Sequence, residues 1–76
     1  MPDKESVLTN KIAQIIRKIQ ELGVVINVTR INAVEHRKEP MYEEWIFYLD
    51  SVMVDYTRYK DTKSEQVSVT PYTELI

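Results

Sequence analysis

Seventy-six residues carrying twelve acidic and ten basic side chains, a net charge of −2 and no cysteine describe one small domain. The missing cysteines exclude disulfides and thiolate metal sites, and a single histidine (His36) leaves no imidazole cluster. A mildly acidic balance also argues against a protein whose affinity comes from neutralising phosphates. A chain of this length buries only about 60% of the surface of its unfolded form, so self-association is the stabilising device still open to it.

No basic-apolar-small leader opens the sequence, and no apolar run approaches the ~18 residues of a membrane span. The expected setting is therefore the cytoplasm, or a particle assembled there, with no membrane partner. The apolar fraction of 43% is that of an ordinary globular domain. No internal repeat or low-complexity segment is present.

The first predicted element is a helix over about residues 4–22. Leu8, Ile12, Ile15, Ile19 and Leu22 recur at spacings of four and three, with Ile16 widening the stripe. Asp3 or Ser6 is placed to cap its start. Its stop is the only glycine, Gly23, which suits the left-handed residue that closes many helices, with apolar Val24 just after it.

From Val24 the pattern turns extended, and a first strand is expected over about 24–35. Val24, Ile26 and Val28 share one parity and Ile31 and Ala33 the other, so a bulge, a bend or a change of partner layer is expected near Thr29-Arg30. Glu35 to Pro40 reads as a charged connection, with His36 a solvated turn residue. The Asn27-Val28-Thr29 triplet matches a glycosylation sequon by chance.

Tyr42 to Tyr59 holds the only Trp, the only Phe and four of the five Tyr. Read as a helix, Tyr42, Trp45, Ile46, Leu49, Val52, Met53, Tyr56 and Tyr59 form one stripe. Read as a strand, Trp45, Phe47 and Leu49 share a face, with a bend at Asp50-Ser51. The composition favours the strand, over about 43–59 with a bend near 50–51. Its expected partner is the first strand, with Val28 near Leu49. A polar turn at Lys60–Glu65 then leads to a last strand over about 65–70, ended by Pro71.

The expected fold is α+β: one N-terminal helix on a three-stranded antiparallel meander, with two helices plus a short hairpin as the alternative. Trp45, Phe47 and Leu49 are the expected core. Catalysis is not expected, because no nucleophile-base pair, phosphate loop or metal-ligand spacing appears; adjacent Glu43 and Glu44 point to opposite faces of a strand. No cofactor, metal or small-molecule substrate is implied. The expected function is a small protein-interaction or assembly module, self-associating or binding a protein partner through an aromatic sheet face, a composition that fits a phage or accessory protein. Ile46, Tyr48, Met53, Tyr56, Arg58 and Tyr59 are its candidate partner-binding residues. The alternative function is single-stranded nucleic-acid binding by Tyr and Arg on an open sheet, which the net charge and interspersed acids disfavour.

Overall fold

The computed structural model describes residues 4–75, with side chains described for residues 10–73. Its elements are helix α1 (Lys4–Glu21), strands β1 (Ala33–Lys38), β2 (Tyr42–Tyr48), β3 (Val52–Tyr59) and β4 (Glu65–Pro71), and 3-10 turns at Val28–Arg30 and Tyr72–Leu75. The strands form one antiparallel sheet in the order β1-β2-β3-β4. The α+β class and the meander are as the sequence implies, but the sheet has four strands rather than three.

The helix ends as its glycine dictates. Gly23 has φ +96°, its N–H donates to the Gln20 carbonyl at 3.0 Å, and the Val24 N–H reaches back to Ile19 at 3.2 Å. These are the two bonds of a Schellman closure. A Cβ on Gly23 would meet nothing within 4 Å, so the position needs glycine for its backbone alone. The expected stripe buries Ile16 and Ile19, with Ile12 and Ile15 at its margin. Leu22, expected to complete it, lies past the helix end and is exposed. The side chains of Leu8 and Ser6, like all of Asp3, fall outside the described residues.

The first strand is displaced from its expected place. Residues 24–27 form no strand, and residues 28–30 close a 3-10 turn capped by Asn27, whose Oδ1 accepts from the Thr29 N–H at 3.1 Å. The parity break is this turn, not a bulge. Ile26 enters the core while Val28 is left outside. The strand proper is Ala33–Lys38, a segment poorer in β-formers, and it sets Ala33 rather than Val28 near the end of β2. Pairing with β2 outweighs local propensity here.

Tyr42 to Tyr59 is two strands, not one bent strand. Leu49 N–H donates to the Val52 carbonyl at 3.0 Å across a tight turn at Asp50-Ser51. That turn uses no left-handed residue; among the described residues only Gly23 and Lys63 have positive φ. The familiar two-residue hairpin signal, Asn-Gly or Asp-Gly, is therefore missing from the sequence.

Strict alternation makes β2 two-sided. Trp45, Phe47 and Leu49 turn toward α1 and join Ile16, Ile19, Ile26, Val54 and Tyr56 in the core, with Phe47 and Ile19 fully buried. Two polar clamps meet at the β2–β3 hairpin. Asp50 accepts from Arg30 at 2.9 Å and Asn32 at 3.1 Å, fixing the connector before β1. The Tyr72 hydroxyl donates to the Leu49 carbonyl at 2.6 Å, docking the C-terminal turn against the same hairpin. No described helix is long and apolar enough to cross a membrane.

Candidate functional site

The register assigns each candidate residue to a face. On the far face, turned away from α1, the rows read Ala33–Tyr48–Met53–Thr70, Glu35–Ile46–Asp55–Ser68 and Arg37–Glu44–Thr57–Gln66, with Tyr42 opposite Tyr59 beyond them. Ile46, Tyr48, Met53 and Tyr59 thus share this face. Tyr56 and Arg58 have the opposite parity and lie on the α1 side, where Tyr56 is 3% exposed and part of the core. Ile46 is 5% exposed, so it is buried on the far face although it lies outside the core cluster. Tyr59 is 37% exposed and its ring meets Tyr42 at 6.3 Å, tilted by 54°.

The centre of the far face is acidic. Glu35, Glu44 and Asp55 share it with one cation, Arg37. Glu35 accepts from Arg37 Nε at 2.7 Å and from the Tyr48 hydroxyl at 2.9 Å, and these bonds, Arg37 first, hold its carboxyl below the usual range. Asp55 accepts from Thr57 at 3.0 Å. Glu44 stands diagonally beside Asp55. Hydrogen bonding to Asp55, then burial, then the like charge push the Glu44 carboxyl up to about 7, against a weaker pull from Arg37 at 4.0 Å.

Sequence reasoning separated Glu43 from Glu44 but did not bring Glu44 to Asp55, because that meeting depends on the β2–β3 register. Among the described residues, no group of His, Asp and Glu has the arrangement of a metal site.

The α1-side face has its own polar margin. His36 lies opposite Trp45 and stacks on it, centroids 3.8 Å apart and planes 10° from parallel, while its Nε2 meets Glu43 Oε2 at 2.6 Å. The expectation of a solvated turn histidine is thus corrected: His36 is a strand residue with two partners. Beyond it, one groove of about 240 Å³ is lined by Glu43, Arg58, Tyr59, Lys60 and Lys63. A second, of about 140 Å³, shares Glu43 and Arg58 with it and is lined also by Lys11 and Lys18 of α1, with Trp45 and Tyr56 in its wall.

The two edges of the sheet differ in kind. The outer strand β1 carries Glu35, His36, Arg37 and Lys38 in succession. The outer strand β4 carries no charge from Gln66 to Pro71, and its Val69 is 46% exposed on the α1 side. No protein-family model, curated protein or solved structure matches this chain.

Proposed function

We propose that this chain is a small non-enzymatic assembly module in which two copies join antiparallel along β4, making one continuous eight-stranded sheet. The observation that supports this most is the contrast between the edges. An outer strand presents a row of unpaired backbone groups, and charged side chains are the common guard against its pairing. β1 is guarded by four consecutive polar or charged residues, whereas β4 carries a charge only at its first residue, Glu65, and a proline only at its last, Pro71. A two-fold axis at Ser68 would bring Val67 and Val69 of the two copies together, covering the exposed Val69. It would also run the two far faces together, so that Tyr48, Met53 and Tyr59 of both copies lie on one surface.

Stacking the far faces directly on one another has weaker support. A two-fold contact there would set Glu35, Glu44 and Asp55 against their own copies, and like charges across an interface oppose association. Nucleic-acid binding by that face has weaker support for the same reason: its carboxylates repel phosphate, and Arg37 is already held by Glu35.

Sedimentation velocity tests the proposal. The wild-type chain should sediment as a concentration-dependent dimer. Val69→Lys, which places a charge on an exposed edge position, should remain folded and sediment as a monomer. A wild-type monomer at every accessible concentration, or a Val69→Lys dimer as stable as the wild type, would contradict it.

A further inference from the structure

We propose that the double groove between α1 and the β3–β4 turn is a binding site for oligophosphate anions. Five of the ten basic residues, Lys11, Lys18, Arg58, Lys60 and Lys63, line it, in a chain whose net charge is negative. Only one carboxylate, Glu43, shares the lining, and its Oε2 is engaged by the His36 ring. Within 4.0 Å, none of Lys11, Arg58, Lys60 and Lys63 meets a carboxylate of a described residue, and Lys18 reaches only Glu21 at 3.9 Å. Glu65 opposes Arg58 in the β3–β4 register without closing to that distance. With five cations and one carboxylate in the lining, the groove carries excess positive charge, which a bound polyanion would neutralise.

Lys63 sits at φ 58°, a left-handed conformation that glycine adopts more freely than lysine, and its side chain lines the groove.

The shape selects the ligand class. Lys60 and Lys63 stand at one end, Lys11 and Lys18 at the other, and Arg58 lines both grooves. A row of phosphates offers a negative charge to each of the two ends, which a single anion does not. Arg58 supplies the planar fork for one phosphate and the lysines act as point charges on the rest. Such a row exists in a free oligophosphate and in the backbone of a single nucleic-acid strand.

The test is a titration of the full-length chain with inorganic tripolyphosphate at low salt, followed by amide chemical shifts. Saturable shifts confined to residues 58–64 and 11–18 are expected. Lys60→Glu with Lys63→Glu, both exposed turn positions, should weaken binding about tenfold or more while leaving the rest of the spectrum in place. Lys63→Gly should fold at least as well as the wild type and still bind more weakly. An oligothymidylate in a parallel titration separates the sources: tighter binding than tripolyphosphate assigns the phosphates to a strand, weaker binding to a free anion. Absence of saturation, or affinity unchanged in the charge-reversed variant, would overturn the proposal.

Discussion

Phe47 and Tyr48 are neighbours in β2, yet they belong to different environments. Phe47 faces α1 and is fully buried among aliphatic and aromatic side chains. Tyr48 faces the other way, half-buried, its hydroxyl on Glu35 in a group of three carboxylates. One face holds the fold together and the other is chemically distinctive. The lesson is that aromatic weight in a strand says little about function until alternation has divided it.

The sharpest way to break this contrast is to truncate each neighbour in turn. Phe47→Ala should cost about 3–5 kcal/mol, a large-to-small change in a dry core, and unfold much of the population of so small a domain. Tyr48→Ala should cost far less, since it removes one hydrogen bond at a partly exposed position. Urea denaturation measures both, and similar losses would erase the distinction between the faces.

The two left-handed residues make a smaller, mirror-image pair. Gly23→Ala should destabilise by about 1 kcal/mol, since no clash but only the backbone conformation opposes the methyl group. Lys63→Gly should stabilise by about 0.5–1 kcal/mol for the converse reason. Shifts in denaturation midpoint of opposite sign are the expected result.

Acid-base behaviour sharpens the contrast further, with a smaller effect. The folded protein keeps on Glu44 a proton that the unfolded chain releases near pH 4.5, so stability should fall as pH rises from about 4.5 to about 7 and level off above. Glu44→Gln should flatten that slope, with an effect under about 1 kcal/mol once solvent screening is allowed for. Asp50 acts in the opposite sense. Its bonds from Arg30 and then Asn32 lower its pKa below 3.8, so the stability they confer is complete above that value and is lost as pH falls through the lowered one. Denaturation midpoints across pH 3–8 should therefore peak on the acid side of neutrality in the wild type and less so in Glu44→Gln.

What could be read from the sequence follows from how local each signal is. The helix and its Gly23 stop rest on neighbours within a few residues, and both stand in the structure; β4 forms where its pattern places it, but its alternation is broken at Val69, which is exposed. Val24 to Val28 outscores Ala33–Lys38 in strand propensity, yet pairing with β2 decides where the first strand forms. The β2–β3 turn read as a bend because Asp50-Ser51 makes it without glycine. The stack of His36 on Trp45 and the pairing of Glu44 with Asp55 are contacts of register, so no spacing along the chain announces them. The cationic groove joins α1 to a turn more than forty residues away, which only the packed fold brings together.

The proposed edge-to-edge assembly is tested most directly by amide hydrogen exchange as a function of protein concentration. The outward-facing amides of Gln66–Thr70 should gain protection as concentration rises, while those of the guarded edge, Ala33–Lys38, should not change. Protection in β4 that is independent of concentration, or a gain shared equally by β1, would contradict the account.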